Sequence, residues 1–171
     1  MTEDREPRPV SRSSSELIRW MSIQDANSAG FVHGGVVMRM CDEVAGIAAI
    51  RHSGSRVVTA GVDRMTFTEP VHVGELLRCR ACVNAAWRTS VEVGVRVEAE
   101  NAITADVRHT STAYLTMVAV DEKGNPIEVP PLITETPDEE RRQREAETRR
   151  RNRLAEREEI VQGRRAERAT K

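Results

Sequence analysis

The positions of apolar residues divide the chain into one central region and two polar ends. Apolar residues concentrate between about residues 16 and 133, whereas both termini are rich in charged and hydroxyl side chains. We therefore predict a disordered N-terminal arm over residues 1–15, one folded domain over residues 16–133, and a charged C-terminal helix or disordered tail over residues 134–171. A chain of 171 residues has room for one domain and not comfortably for two.

Within the domain, the apolar spacing changes from a helical period to a strand period. From Gly34 to about His52 apolar residues recur every three or four positions, which predicts one helix with an apolar face. Between Val91 and Glu100 valine and alanine alternate with polar residues, which predicts a strand with one buried and one solvent-facing side. The strands are predicted over residues 17–23, 56–68, 75–89, 91–100 and 107–120.

The order of these elements decides the fold class. One long helix is followed by four long strands with no helix between them, and parallel strand pairs need crossover connections. A doubly wound parallel sheet is therefore excluded. We predict an α+β domain in which an antiparallel sheet wraps around one long central helix.

The C-terminal region alternates glutamate and arginine and opens with a helix signal. Thr136 is a candidate N-cap, Pro137 would occupy the first helical position, and acidic residues fill positions 138–140. Apolar residues are too few for a heptad seam. We predict a solvated helix or a disordered tail, with arginine-rich binding to an acidic partner as the alternative.

Composition narrows the class of protein. The formal net charge is −1, so neither nucleic-acid binding nor membrane binding is indicated. Residues 1–15 lack the apolar segment of a secretory signal, and no later segment approaches about 18 uninterrupted apolar residues. We expect a soluble cytoplasmic protein whose three cysteines are reduced. Cys79 and Cys82 are spaced as C-x-x-C, but on a strand they would face opposite sides, so packing is favoured over a metal or redox role.

The most informative segment is the polar loop that precedes the predicted helix. It delivers Gly34 and Gly35 to the helix start, where free backbone N–H groups and the positive dipole end favour an oxyanion. Asp42 follows two turns into the helix and could act on a ligand held there. The alternative is that Asp42 is a solvated surface residue. Small residues at positions 35, 45, 46 and 49 project near it, which favours a ligand or a partner backbone.

Two polar residues of this loop have more than one interpretation. His33 precedes the glycine pair and could cap the turn, contact a ligand or titrate, and we favour a positional role. Asn27 could hold an Asx turn or supply an active-site amide.

Two motifs carry a family resemblance. Asp-Ala-Asn-x-Ala-Gly-x-Val-His-Gly-Gly begins at Asp25, and Met-x-Met-Cys-Asp-Glu-Val-Ala-Gly begins at Met38. Together they resemble the hot-dog-fold acyl-CoA thioesterases, and most closely the cytosolic long-chain acyl-CoA hydrolase branch. The resemblance implies fatty acyl-CoA as substrate, dimers whose sheets join edge to edge, and a hexamer of three such dimers. It also implies an active site at the dimer interface, where Asp42 meets Asn27 of the facing subunit and backbone N–H groups around Gly35 bind the thioester carbonyl.

The mechanism expected from this resemblance is thioester hydrolysis. Asp42 would activate water as a general base, with direct attack to form an anhydride as the competing possibility. Asn27 would orient water or the carbonyl, and Gly35 would stabilise the oxyanion. No metal or cofactor is expected, since coenzyme A is part of the substrate. The candidate substrate-binding residues are His33, Gly34, Arg64, Arg88, Thr89 and Ser90, the two arginines being candidates for the CoA phosphates.

Two rival functions share the fold. A hot-dog module could bind acyl-CoA as a sensor or interaction module without hydrolysing it. A hot-dog dehydratase is the other possibility, although its usual aspartate and histidine arrangement is not visible in the sequence.

Overall fold

The structure is a computed structural model that describes the backbone of residues 6–169 and the side chains of residues 6–165. It contains two α-helices, eight strands and two short 3₁₀ turns at Val10–Ser13 and Ile23–Asp25. The helices and strands are β1 (Arg8–Pro9), β2 (Ser15–Trp20), α1 (Gly34–Ser53), β3 (Arg56–Val62), β4 (Thr66–Phe67), β5 (Leu76–Ala86), β6 (Ser90–Glu100), β7 (Val107–Val120), β8 (Leu132–Ile133) and α2 (Pro137–Ala169).

The main sheet is antiparallel and wraps around α1. Its strand order is β2-β5-β6-β7-β3, and the short β4 also pairs with β7. Strands β2 and β3 are therefore the edges of this sheet. The buried side of α1, which includes Val37, Met40 and Val44, packs against the inner face of the sheet. The predicted α+β architecture is confirmed.

One prediction about β6 is wrong. The residues alternating with its valines were expected to face solvent, yet Glu92 is 1% exposed and Glu98 is 6% exposed. Arg80 and Arg96 bind Glu98 from the outer face, and Arg149 of α2 covers Glu92. Both sides of β6 are covered because the outer face carries paired charges and a helix.

The N-terminal arm was predicted to be disordered over residues 1–15, but its described part is packed. Val10 is buried, and the Ser13 hydroxyl, which is also buried, accepts a hydrogen bond of 2.9 Å from the Val83 N–H of β5. The same hydroxyl donates to the Val10 carbonyl at 2.6 Å. A hydroxyl that satisfies a sheet N–H holds the arm in place, a contact that the sequence pattern does not reveal. Residues 1–5 lie outside the described residues.

Helix α2 begins where the sequence predicted and is more closely packed than expected. Thr136 Oγ1 accepts from the Glu139 N–H at 3.3 Å, and the Glu139 carboxylate accepts from the Thr136 N–H at 3.2 Å, which forms a capping box. The prediction of a solvated helix is wrong for the first half, where Ala146 is fully buried against the rest of the chain. Along the described residues, neither helix has the length and apolar character needed to cross a membrane.

Candidate active site

The loop before α1 is anchored by a buried acid whose role the sequence pattern does not reveal. Asp25 is 5% exposed and accepts hydrogen bonds from the Ser22 N–H at 2.8 Å and the Ser22 hydroxyl at 2.9 Å. Arg19 also donates to it. The backbone hydrogen bond from Ser22, followed by its hydroxyl and Arg19, lowers the pKa of Asp25 despite its burial. Asp25 is thus a structural carboxylate, and its own carbonyl accepts the His33 N–H at 2.7 Å.

Asn27 holds an Asx turn. Its side-chain oxygen accepts from the Ala29 N–H at 2.9 Å and from the Phe31 N–H at 3.2 Å. Two backbone donors therefore fix the orientation of the amide, so its NH₂ group is the part left to meet a ligand. The turn and an active-site role are compatible, because they use different atoms of the same side chain.

The glycine pair lies at the N-terminus of α1, as predicted, but one of its two backbone N–H groups already donates a hydrogen bond within the chain. The Gly35 N–H donates to Nδ1 of His33 at 2.9 Å, so His33 is the N-cap of the helix. This confirms a positional role for the histidine. Gly34 lies under the aromatic ring of Phe67, whose Cζ would be 3.4 Å from a Cβ at that position. A larger residue at position 34 would press on this ring.

Asp42 lies on the exposed side of α1 and is held by a residue of β3. The Thr59 hydroxyl donates to Oδ1 of Asp42 at 2.6 Å, and both side chains are exposed in the single chain. Thr59 was not predicted as a site residue. A threonine on an edge strand carries no sequence signal of its own. The contact places Asp42 beside the free edge of the sheet.

The small residues near Asp42 have a different role from the one predicted. Ala45 and Ala49 are fully buried in the core and do not line a ligand site. A Cβ on Gly46 would lie 3.7 Å from the methyl group of Met117, which is an ordinary packing distance. These small side chains allow α1 to approach the sheet closely.

The candidate CoA-binding residues lie on other parts of the domain. Arg64 follows β3 and lines a cavity of about 640 Å³ between the outer face of the sheet and α2. Arg88 and Thr89 lie in the connection between β5 and β6, and Ser90, the first residue of β6, lines a second cavity of about 350 Å³ under α2. Among the described residues, no hydrogen bond or ion pair joins Arg64 to these three. Both cavities are on the opposite side of the sheet from α1.

The cysteines are free thiols, and the C-x-x-C pair faces both sides of β5 as predicted. Cys79 is buried in the core, where its hydrogen bond with Cys41 and its burial raise the pKa of the Cys79 thiol. Cys82 lies on the outer face, and burial raises the pKa of its thiol as well. Raised thiol pKa values are unfavourable for nucleophilic chemistry at neutral pH.

Comparison with known proteins identifies the family. Residues 29–105 match the family model described as the thioesterase superfamily. A solved structure described as an apo-hexameric acyl-CoA thioesterase superposes with a TM-score of 0.85 and 38% sequence identity, over 88% of this chain and 97% of that chain. The chain belongs to the thioesterase superfamily. The cytosolic acyl coenzyme A thioester hydrolase of Rattus norvegicus is 37% identical to this chain over 139 residues, which are 80% of the chain. The match spans only 36% of the length of the rat protein.

A third relative was solved with ligands. The acyl-CoA hydrolase of Staphylococcus aureus, in complex with butyryl coenzyme A, coenzyme A and coenzyme A disulfide, is 33% identical to this thioesterase-superfamily chain. Its TM-score is 0.84, over 91% of this chain and 94% of that chain. Mutants of the same hydrolase have been solved in which an aspartate, an asparagine and a threonine are each replaced by alanine. The predicted hot-dog fold and family are confirmed.

Proposed function

We propose that this chain hydrolyses fatty acyl-CoA thioesters to a free acid and coenzyme A. The observation that carries the proposal is the Asp42 carboxylate held by Thr59 at 2.6 Å on an exposed sheet edge, in a chain of the thioesterase superfamily. The relatives named above as acyl-CoA hydrolases support the substrate class. The mutants of the Staphylococcus aureus hydrolase alter the same three residue types as Asp42, Asn27 and Thr59 here.

Asp42 acts as the general base in the proposed reaction. A carboxylate accepts the proton of a water molecule, and the hydroxide that forms attacks the thioester carbonyl. Thr59 fixes one carboxylate oxygen, which leaves Oδ2 to receive the proton. Direct attack by Asp42 to give an anhydride is the competing route, and it uses the same exposed oxygen.

The complete site is proposed to form between two copies of the chain. Thr59 of β3 holds Asp42 of α1 beside the free edge of β3, whose unpaired backbone groups another strand can satisfy. Joining two β3 edges would bring Asn27 of the partner subunit towards Asp42, and its NH₂ group would orient water or the carbonyl. Two relatives described as hexameric support assembly beyond the dimer, and we propose a trimer of dimers.

The oxyanion is proposed to bind at the start of α1. The Gly34 N–H has no hydrogen-bond partner among the described residues, and the Gly35 N–H becomes available once the His33 ring turns away. Binding of the carbonyl oxygen would replace the bond to Nδ1 by a bond to a developing negative charge, which is the stronger of the two. His33 would then be free to contact the substrate.

The remaining assignments follow from the chemistry of the substrate. Hydrolysis of a thioester involves neither electron transfer nor an obligatory Lewis acid, so we propose that no cofactor is needed. Arg64 and Arg88, with Thr89 and Ser90, are proposed to bind the CoA phosphates, since guanidinium groups pair with phosphate oxygens. We propose the cytoplasm as the compartment, because the rat relative is named as cytosolic.

Thiol release from acyl-CoAs of graded chain length tests the proposal. The wild-type chain should release one thiol per thioester, and Asp42→Asn should reduce kcat by a factor of about 10² or more, as expected for loss of a general base. Glu43→Gln is the matched control, because Glu43 is the neighbouring exposed acid and forms an ion pair with Arg39 at 2.9 Å. Tight acyl-CoA binding without thiol release would instead identify a non-catalytic sensor.

A further inference from the structure

Helix α2 crosses the outer face of the sheet in strand order. Arg142 lines one cavity with Cys82 of β5, Arg149 binds Glu92 of β6 at 2.6 Å, and Arg153 binds Asp63 just after β3 at 3.1 Å. From Arg142 to Arg153 the helix rises about 16 Å, and three strand spacings from β5 to β3 measure about 14 Å. The helix therefore runs nearly perpendicular to the strands and leaves the sheet at the β3 edge.

The helix continues well beyond this edge. Leu154 and Arg157 line a cavity together with Ala60 and Gly61 of β3. From there the helix extends about 18 Å further, to Ala169. Among the described residues, no strand of the same chain continues the sheet beneath this overhang, residues 158–169, because β3 is the edge strand on that side.

The sheet-facing side of α2 carries two apolar residues where it extends into the overhang. Ala146, Arg150, Arg153 and Arg157 recur at three- and four-residue spacing, and each is buried against the sheet or lines a cavity with it. The same spacing leads next to Ile160 and Val161. These two side chains are 48% and 38% exposed in the single chain.

The outer face of the sheet also carries an exposed apolar residue, which lies on the edge strand β3. Thr59 points inward to Asp42, so the preceding residue Val58 points to the outer face, where it is 50% exposed. Its partner across the ladder is Val118, two residues from Thr116, which lines a cavity under α2. Helix α2 crosses β3 at its carboxyl end and leaves Val58, near the amino end, exposed.

We propose that the overhang of α2 docks on the outer sheet face of a second copy of this chain, with Ile160 and Val161 covering Val58 of the partner subunit. This inference rests on the β3-to-β3 dimer proposed above. In an antiparallel edge pair, the carboxyl end of one β3 lies beside the amino end of the other. One strand spacing of about 4.8 Å corresponds to about three helical residues, which leads from Arg157 to Ile160. The two-fold axis of the dimer repeats the contact, so the overhang of each chain docks on the outer sheet face of the other chain.

Disulfide trapping tests the contact directly. Val58→Cys and Val161→Cys are introduced together into a full-length Cys82→Ser chain and equilibrated with oxidised glutathione, which is reduced as the new disulfide forms. Covalent dimers on a non-reducing gel, with no larger species, are expected because the reciprocal contact closes on itself. The matched control pairs Val58→Cys with Ala155→Cys, on the opposite side of α2, and should stay monomeric on the gel. A ladder of larger species, or no interchain product, overturns the proposal.

A second experiment measures the energetic effect. Ile160→Glu combined with Val161→Glu should raise the dimer dissociation constant about tenfold or more in sedimentation dilution series, because two apolar contacts are lost from each overhang. Ala155→Glu adds charge to the solvated side of the helix and should leave the constant unchanged. Equal constants for the two variants contradict the docking. An active dimer without cross-linking overturns only the α2 contact, whereas a wild-type monomer in sedimentation overturns the proposed dimer as well.

Discussion

Removing the Thr59 hydroxyl is the sharpest perturbation of the single-chain part of the site. Thr59→Val keeps the shape of the side chain and deletes the donor that lies 2.6 Å from Oδ1 of Asp42. A hydrogen bond to a charged group contributes about 1.5–3 kcal/mol. Because both residues are exposed in the single chain, the lower end applies, and about 1.4 kcal/mol corresponds to a tenfold change in rate. We therefore expect kcat to fall about tenfold.

The assay is steady-state thiol release with separate kcat and KM values. If Thr59 orients the base, KM should change little, and Thr59→Ser should recover most of the rate, since serine restores the hydroxyl. Thr116→Val is the matched control, because it makes the same chemical change on the outer face, away from Asp42. A Thr59→Val enzyme that keeps at least half of the wild-type kcat, or a serine variant no faster than the valine variant, would refute the reasoning.

Three further predictions concern stability. His33→Ala removes the hydrogen-bond acceptor of the Gly35 N–H, so the free energy of unfolding measured in urea should fall by about 1 kcal/mol. His33→Asn should recover most of this loss, and equal stability of the two variants would contradict a capping role. Arg149→Met leaves the Glu92 carboxylate buried without its main partner and should cost about 3 kcal/mol, whereas adding Glu92→Gln should restore most of the loss. The fully buried His52 has a pKa lowered by its burial, so the unfolded state binds more protons below pH 6.5. Unfolding free energy should therefore fall as the pH drops through 6.5, and a pH dependence that persists unchanged in His52→Gln would exclude this histidine as its source.

Local patterns predicted the central elements well. The apolar period of α1 located its first residue, Gly34, and the strand pattern of β7 located both of its ends. These elements obey local rules, since the apolar side chains that recur with the period of the helix or strand face the same core. The order of one helix and several strands then limits the sheet to antiparallel pairing.

Contacts between distant residues account for what the sequence did not predict. Glu92 of β6 and Arg149 of α2 are separated by 57 residues, so the strand pattern alone made Glu92 a solvent-facing residue. Thr59 meets Asp42 only because β3 folds back beside α1. The Asn27 turn was one of two interpretations kept open, and only its hydrogen bonds show that the turn orients the amide.

The measurement that tests the central claim most directly combines two inactive subunits. Chains carrying Asn27→Ala and chains carrying Asp42→Ala are co-expressed with different tags, and the mixed dimer is purified on both tags. If the site combines the acid of one chain with the amide of the other, the mixed dimer has one intact site and about half of the wild-type thiol-release rate. A mixed dimer no more active than either parent contradicts a site shared between two copies.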